Sequence, residues 1–393
     1  MPRPLPVELV EKILSDRSLD KDTLARCCRL SRDWLDFSRS RLYSSIRLSV
    51  SYAYAEEAGG FNDTEYRYDP QSLALLLSLQ QNPHLADLVE AAYFDREGAD
   101  GCTVYTSQRG VLTSVLKTCT DLEAVGCPPF DASSCFPAIK EHCLQGDGHI
   151  RAIDLDSWDD DMWDLLSIIQ HTIRHLVYSN REFGSSLLKQ PPEPSDLAYL
   201  ELNSLIILSP LEPSAMHALA FDTLTQASHD SLSLLIMPFT PSVAADFSAF
   251  SALTHLELDI SSSKTAKVLA AIRTASSLTY LALYRLHFSD TKLRTLLFSS
   301  DISLASKLPP RLQRLDLTPI APEYLADFAG AVSSSALRVL GYAESTAAWV
   351  MSIETPPPEP DYGPAQAALA DTGILLVKVE EYPKRDYWDY VSL

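Results

Sequence analysis

The first fifty residues carry apolar side chains at the spacing of three short helices. Apolar residues recur at intervals of three and four after Leu5 and Pro6, and a proline suits the first turn of a helix. The stripes consist of Leu9, Ile13 and Leu14, then Leu24, Cys27, Cys28 and Leu30 behind a cap candidate at Asp22, then Trp34, Leu35, Leu42 and Tyr43. Helices this short hold little core, so we expect part of this surface to pack against a partner.

A change of pattern follows the three helices. Turn-forming pairs at Gly59-Gly60, Asn62-Asp63 and Asp69-Pro70 indicate a connection rather than a regular element. A helix-like run from Leu73 to Leu79 comes next. We therefore predict a helical domain at 1–50, a connecting segment at 51–72 and a second domain at 73–393.

The second domain shows a different period, in which an apolar residue is followed by two spacers, an apolar residue, one spacer and another apolar residue. This pattern resembles the strand segment of a leucine-rich repeat. The segments begin at Val89, Leu122, Ile150, Ile173, Leu197, Leu232, Leu253, Leu278, Leu312, Leu337 and Ile374. The strict version with three leucines occurs at Leu197, Leu253, Leu278 and Leu312, although the regular asparagine of standard repeats is missing.

Sequences with helical spacing lie between several of these segments, for example at 163–169, 267–272 and 324–329. Alternation of strand and helix implies parallel strands. The proline-rich stretches at 191–194 and 356–360 predict surface loops. The predicted fold class is α/β, with three N-terminal helices followed by an irregular α/β solenoid of parallel strands that resembles a leucine-rich-repeat domain.

Residues 5–48 resemble an F-box. The resemblance rests on the order of Leu5-Pro-Val-Glu-Leu9, Ile13-Leu14, Leu24, Leu30-Ser-Arg-Asp-Trp34 and Leu42-Tyr43. It covers about 44 of 393 residues, and Cys27, Cys28 and Ser31 occupy the stretch where many F-boxes carry Val-Cys.

The resemblance implies a three-helix domain that docks on a Skp-type adaptor, which in turn joins a cullin and its RING partner. Carried over to this sequence, the adaptor-binding residues are Leu5, Pro6, Leu9, Ile13, Leu14, Leu24, Leu30 and Trp34. The alternative is that these residues only form the core of a small helical cap on the repeat array.

The distribution of charge narrows the range of partners. The chain carries a formal charge of −20, and residues 1–50 hold ten Lys/Arg against seven Asp/Glu, which leaves 22 against 45 for the rest. Such an acidic surface disfavours nucleic acid and anionic membranes as ligands and favours a basic protein target.

Location is predicted from what the sequence lacks. No apolar stretch approaches the ~18 residues of a membrane span, and Glu8 and Glu11 interrupt any signal-peptide core. The seven cysteines are an odd number, and all precede residue 144, so we expect reduced thiols. The protein is therefore expected in the cytoplasm, the nucleus or both.

Motifs for catalysis are weak. Ser-x-x-Lys occurs at Ser114, Ser186 and Ser261 without its companion motifs, and no phosphate-binding loop, zinc-protease motif or nucleophile elbow is present. Cysteines recur every eight residues from 119 to 143, which is not zinc spacing. The aspartates at 154–164 do not follow an EF-hand and predict a solvated turn with a helix cap. We expect no enzyme, metal or cofactor.

In the repeat interpretation, the leucines of each strand face the core and the intervening residues face outward on a concave side. That surface comprises Asp154, Asp156, His175, Tyr199, Glu201, Asn203, His255, Glu257, Asp259, Tyr280, Tyr284, Arg314 and Asp316. Tyrosines among carboxylates suit a target segment that carries Lys or Arg. From this surface we select the following target-binding residues: Tyr199, Glu201, His255, Glu257, Asp259, Tyr280, Tyr284, Arg314 and Asp316.

Three hypotheses for function follow. The first is a non-catalytic substrate-recognition subunit of an SCF-type ubiquitin ligase, in which the repeats bind a target protein. The second is an interaction scaffold without a ligase role. The third is a hydrolase built on the acidic cluster or on a serine.

Overall fold

The computed structural model describes residues 7–14, 19–30, 32–54, 64–96, 108–126, 135–144, 149–155, 160–178, 192–208, 215–239, 246–260, 265–284, 308–318, 336–343, 361–370 and 372–379. These residues fall into two compact units. The first lies within Met1–Ile173, and the second combines Arg174–Ser179 with Leu188–Ser392. Both units are α/β.

The three predicted N-terminal helices are present. They are α1 at Val7–Leu14, α2 at Lys21–Cys27 and α3 at Arg32–Tyr43. The N-cap of α2 is Asp20, whose Oδ1 accepts the Thr23 amide at 2.6 Å, so the cap predicted at Asp22 is wrong by two residues. This hydrogen bond lowers the pKa of Asp20 because it favours the ionised carboxylate.

A small apolar core joins these helices. Val10 and Leu14 lie one turn apart on α1 and are buried, as are Leu24 and Cys27 of α2. Residues packed against this core are Leu19, Trp34, Phe37 and Leu42. Of the residues in the predicted stripes, Leu14, Leu24, Cys27, Trp34 and Leu42 belong to this shared core, whereas Leu9, Ile13 and Leu30 are exposed.

The helices are tied directly to the first strand. Helix α3 ends at Tyr43 and β1 begins at Ser45, so Ser44 alone separates them. Lys21 Nζ of α2 donates to the Ser45 carbonyl at 3.0 Å. The N-terminal helices and the strands that follow therefore belong to one compact unit.

The predicted connecting segment at 51–72 contains regular structure. It holds the end of β1 (Ser45–Tyr54), the strand β2 (Thr64–Tyr68) and the start of the next helix. Strand β2 pairs antiparallel with β1.

The remaining elements of the first unit alternate between helix and strand. They are α4 at Pro70–Gln81, α5 at Pro83–Ala86, β3 at Ala91–Arg96, α6 at Gln108–Thr118, β4 at Ala124–Gly126, α7 at Phe136–Leu144, β5 at Ala152–Leu155 and α8 at Asp160–Ile169. The strand order is β5-β4-β3-β1-β2. All pairs except β1 with β2 are parallel.

The second unit contains eight strands and three α-helices among its described residues. They are β6 at His175–Tyr178, β7 at Ser204–Ile207, α9 at Ala215–Thr225, β8 at Leu234–Pro238, β9 at His255–Asp259, α10 at Thr265–Thr274, β10 at Tyr280–Tyr284, β11 at Arg314–Thr318, β12 at Val339–Tyr342, α11 at Gly363–Ala370 and β13 at Leu375–Lys378. Each strand pairs in parallel with the next one along the chain. This confirms the predicted parallel strands.

The predicted strand segments can be compared with the observed strands one by one. Nine of the eleven are followed, two residues after their first apolar residue, by the start of a strand, and at Ile374 the offset is one residue. The segment at Leu197 is wrong, because Pro194–Leu197 forms a 3₁₀ turn and β7 begins only at Ser204. The same apolar spacing recurs from Leu202 and fits β7. The helix predicted at 324–329 and the proline stretch at 356–360 lie outside the described residues.

In most of the parallel pairs described within each unit, one backbone carbonyl accepts two amides of the neighbouring strand segment. The Ser233 carbonyl accepts the amides of Thr254 and His255, each at 3.0 Å, and the Thr254 carbonyl accepts those of Thr279 and Tyr280 at 2.9 and 3.0 Å. The same two-donor arrangement occurs at Ser44, Glu90 and Glu123 in the first unit and at Arg174, Asn203, Thr279 and Gln313 in the second. In these pairs, the backbone at the start of one strand is therefore satisfied by the segment before its neighbour.

A buried serine connects two neighbouring segments of the second unit. Ser228 is buried, its Oγ donates to the Leu200 carbonyl at 2.7 Å, and it accepts the Leu202 amide at 2.8 Å. Two backbone groups of the neighbouring segment are thereby satisfied.

Close packing at Gly341 yields a first prediction. A Cβ at Gly341 would lie 2.6 Å from Asp316 Cγ and 2.9 Å from Val379 Cγ1. Because both neighbours are held in place, we expect Gly341→Ala to lower the free energy of unfolding by about 1–3 kcal/mol, measured by urea denaturation.

Gly363→Ala is the matched control. Its Cβ would meet only the side chain of exposed Asp361, and alanine suits the first turn of a helix. An equal loss of stability in both variants would contradict the packing account.

Candidate functional site: an exposed apolar helix face and a buried acid-tyrosine network

Helix α1 has a second apolar stripe beside the one in the core. Leu9 and Ile13 lie four residues apart, so they share one face, and they remain 47% and 44% exposed. Val10 and Leu14 on the adjoining face are each 1% exposed. Helix α1 therefore uses half of its apolar arc for its own core and leaves the other half uncovered.

Leu30 is the third large apolar residue exposed in this region. It lies in the turn after α2, where its amide donates to the Cys27 carbonyl at 3.0 Å, and it is 66% exposed. Leucines this exposed contribute little to folding. They are available for burial against another protein.

The predicted adaptor-binding set divides accordingly. Leu14 and Leu24 are buried in the helical core, and their role in adaptor binding stays a prediction. Trp34 is half-buried and packs against the same core. Leu5 and Pro6 lie outside the described residues.

The predicted concave surface also divides. Tyr199, at 62%, is exposed together with Glu201 and Asn203, but these residues precede β7 instead of lying in a strand. Half-buried residues are Asp154 in the first unit and His175, His255, Tyr280 and Arg314 in the second. Asp156 lies outside the described residues.

Four of the residues predicted to face outward are instead buried. They are Glu257, Asp259, Tyr284 and Asp316. From the second residue onward, strands β9, β10 and β11 are buried on both faces, as is common for parallel strands. The expectation of solvent exposure is therefore wrong for these four side chains, while the binding role of the remaining residues stays a prediction.

Two of the buried acids, Glu257 and Asp316, lie in one row across the sheet. Glu257 of β9 is in register with Ala282 of β10, which is in register with Asp316 of β11 and then with Gly341 of β12. A small residue thus stands beside each acid. The small side chains leave the space that the carboxylates and the neighbouring tyrosines fill.

Glu257 is satisfied by groups from two strands. The Tyr284 hydroxyl donates to Oε2 at 2.6 Å, and His255 Nε2 lies 2.9 Å from Oε1. The ring of His255 also stacks on Tyr280, with centroids 4.1 Å apart. A carboxylate that is only 1% exposed needs such partners, because burial without them is strongly unfavourable.

Asp316 is held in a similar way. Arg314 donates to it through Nε and Nη2, both at 3.0 Å, and the Tyr280 hydroxyl donates to Oδ2 at 2.7 Å. The Arg314 guanidinium lies 5.3 Å from the centre of the Tyr280 ring. Tyr280 and Tyr284, both on β10, therefore reach in opposite directions to the acids of β11 and β9.

Sequence reasoning placed these residues on one face but missed their mutual contacts. The sequence feature that could have predicted these contacts is the presence of small residues, Ala282 and Gly341, in register with the acids on the neighbouring strands. Small residues at these positions predict that larger side chains from the adjacent strands pack over them. The network links three strands through hydrogen bonds to the two carboxylates.

A second polar contact lies at the start of β6 and β7. His175 Nδ1 lies 2.8 Å from Ser204 Oγ, and the two residues are in register. Burial, and then the charge of Arg174, lower the pKa of His175, so the ring is neutral near pH 7. The contact satisfies the buried Ser204 hydroxyl.

The cysteines and carboxylates provide no metal centre in the described part of the chain. No group of three or more His, Cys, Asp or Glu there is arranged to hold an ion. Burial, with a contribution from Asp87, raises the pKa of Cys119 to about 12, so this thiol stays protonated. Helix α8 begins at Asp160 in the aspartate-rich run.

Neither family models nor curated proteins identify this chain. No protein-family model matches the sequence, and no curated protein matches it either. Among the described helices, none has the length and apolarity needed to cross a membrane.

The buried network yields the second prediction. Tyr284→Phe removes the hydroxyl that donates to Glu257 and leaves a buried carboxylate with one partner fewer. We expect the free energy of unfolding to fall by about 1–3 kcal/mol in urea denaturation.

Tyr199→Phe is the control, because Tyr199 is exposed and outside this network. The free energy of unfolding of the Tyr199→Phe protein should differ from that of the parent by less than about 0.5 kcal/mol. A Tyr284→Phe protein as stable as the parent would show that the network contributes nothing to folding.

Proposed function

We propose that this protein is a substrate-recognition subunit of an SCF-type ubiquitin ligase. The N-terminal helices dock on a Skp-type adaptor, which connects to a cullin and a RING subunit, and the second unit binds the target protein. Ubiquitin transfer is carried out by the other subunits, and this chain brings the target close to them.

The observation that carries the proposal is the uncovered stripe of Leu9 and Ile13 beside the filled core of α1. A helical cap needs only the core stripe, which Val10 and Leu14 already supply. A second stripe on the same helix is typical of a helix that inserts into a partner's groove. The resemblance of residues 5–48 to an F-box names the class of that partner.

The arrangement of α3 and β1 supports a rigid connection between the docking helices and the sheet of the first unit. The two elements are separated by Ser44 alone, and the Ser44 carbonyl accepts the amides of Glu90 and Ala91, each at 2.9 Å. An adaptor docked on the helices is therefore coupled to the sheet of the first unit without a flexible linker.

The target surface follows from what the second unit exposes. The acid-tyrosine network is buried, so it shapes the sheet and is not itself the contact surface. Tyr199 and Glu201 remain exposed and suit a target segment with Lys or Arg. The parallel sheet of the second unit, which resembles that of a leucine-rich-repeat domain, supports this surface.

An interaction scaffold without a ligase role is the second candidate. It is favoured by the finding that no family model, including any for an F-box, matches the chain. Capture of the adaptor together with a cullin and ubiquitin transfer activity supports the first function. Capture of the adaptor alone, without cullin, supports the scaffold.

The third prediction tests adaptor docking directly. Leu9→Ala combined with Ile13→Ala removes two half-exposed side chains, with a loss of about 1–2 kcal/mol of binding free energy at each. We expect the affinity for a purified Skp-type adaptor, measured by calorimetry, to fall roughly 30-fold or more.

Leu144→Ala is the matched control, because Leu144 is 64% exposed at the end of α7 in the same unit. Urea denaturation should show that both proteins fold like the parent. Trp34 is unsuitable for this test, since its packing against the helical core makes its removal a folding defect. Adaptor binding that survives the loss of Leu9 and Ile13 would refute the docking assignment.

A further inference from the structure

The turn that follows α10 carries a serine with an arginine three residues before it. Helix α10 ends at Thr274, and Arg273 and Ser276 are both exposed. An arginine three residues before a serine or threonine occurs twice in the chain, at Arg41 with Ser44 and at Arg273 with Ser276.

This spacing suits the substrate of an arginine-directed serine kinase. A kinase of this class has carboxylates beside its substrate groove, and a guanidinium binds a carboxylate through two parallel N–H···O hydrogen bonds. The serine hydroxyl attacks the γ-phosphorus of ATP, and the bond from that phosphorus to the oxygen of ADP breaks. The hydroxyl proton passes to the catalytic aspartate of the kinase. The products are phosphoserine and ADP.

The segment 274–277 holds three hydroxyl groups, and the fold engages two of them. Thr274 Oγ1 accepts the Phe247 amide at 2.7 Å. Ser277 Oγ donates to the Ser251 carbonyl at 2.7 Å. Ser276 lies between them with its side chain exposed. The hydroxyl that this turn presents to solvent is therefore that of Ser276.

The other arginine and serine pair is held within the fold. Ser44 is half-buried, and its Oγ donates to the Arg41 carbonyl at 3.1 Å. The Ser44 carbonyl accepts the amides of Glu90 and Ala91, which joins β1 to β3. Presentation of Ser44 to a kinase therefore requires the loss of this link. Ser276 lies beyond a helix end, where local opening need not break the strand pairing of β10.

Arg273 has two roles in such a modification. A positive charge in the last turn of a helix is stabilising by itself, so Arg273 alone indicates nothing about a kinase. A phosphate close to the C-terminus of a helix is unfavourable, because it adds negative charge at the negative end of the helix dipole. Arg273 offsets that charge from three residues away. The residue that a kinase recognises is thus also the one that accommodates the phosphate.

Phosphorylation at Ser276 changes the charge of one edge of the sheet in the second unit. Strands β7 to β10 are parallel neighbours, so the segments that precede them lie at the same edge. Glu201 precedes β7 and Ser276 precedes β10. A phosphoserine carries a charge of about −1.5 to −2 at pH 7. The modification therefore adds negative charge at the edge where Tyr199 and Glu201 are proposed to meet a target.

We propose that Ser276 is a phosphorylation site for an arginine-directed serine kinase, that Arg273 is the residue the kinase recognises, and that the fold protects Ser44. The inference goes beyond the proposed function. It holds for a ligase subunit and for a scaffold alike.

The test incubates the purified full-length chain with ATP and a purified serine kinase that requires arginine three residues before its serine. Intact-mass measurement counts the phosphates, and fragmentation locates them. The variants are Ser276→Ala and Arg273→Ala. The matched control is Arg311→Ala, which removes the same charge from an exposed arginine elsewhere in the second unit. Urea denaturation of the unmodified proteins should show that all of them fold like the parent.

We expect one phosphate on the parent protein, located at Ser276 and absent from the Ser276→Ala protein. Arg273→Ala should slow its incorporation roughly tenfold or more, because a charge-assisted hydrogen bond to the kinase is lost. Arg311→Ala should leave the rate unchanged within about twofold.

Each contrary result overturns a stated part of the proposal. A parent protein that takes up no phosphate, or a phosphate count that Ser276→Ala leaves unchanged, overturns the site. Equal labelling of Ser44 and Ser276 overturns protection by the fold. Equal rates for Arg273→Ala and Arg311→Ala overturn recognition through Arg273. Adaptor binding through Leu9 and Ile13 is measured separately, so these failures are distinguishable from failure of the proposed function.

Discussion

The backbone carbonyl that precedes each strand is the constraint on which the rest of the fold depends. A single carbonyl, such as that of Ser233, accepts two amides from the segment that begins the next strand, so neighbouring strands satisfy one another's backbone groups. This requirement explains why neighbouring strands in the second unit follow one another in chain order and are all parallel. It also allows the segments between strands to differ in length, as long as the hydrogen bonds at the start of each strand are made.

Burial of both sheet faces has consequences for where partners bind. Acids on a buried face must be paired, and here Tyr280, Tyr284, His255 and Arg314 provide the hydrogen bonds. The small residue at Gly341 gives Asp316 its space, so the network depends on packing as well as on charge. Because this face is filled, the residues proposed for recognition are exposed ones: Tyr199 in the second unit and Leu9 and Ile13 in the first.

The sequence predicted the positions of the strands better than it predicted which of their side chains are buried. The apolar period located most strands within one or two residues, because that period directly reflects the core-facing side chains. It failed at Leu197, where a proline-led 3₁₀ turn carries the same spacing without being a strand. It also treated every alternate position as exposed, since a period cannot show whether the second face is covered. For α1 the apolar pattern placed Leu9 and Leu14 in one stripe. Only the packing of the three helices shows that Leu14 lies in the core and that Leu9 and Ile13 lie on the face proposed for docking.

The central proposal is that the N-terminal helices form a docking face for a Skp-type adaptor. Hydrogen exchange of the full-length chain, followed with and without a purified Skp-type adaptor, tests it most directly. The account predicts adaptor-dependent protection of amides in α1 and in the turn from Arg26 to Leu30, with the strands of the second unit unchanged. Protection that is absent from residues 7–30, or that falls instead on the second unit, would contradict it.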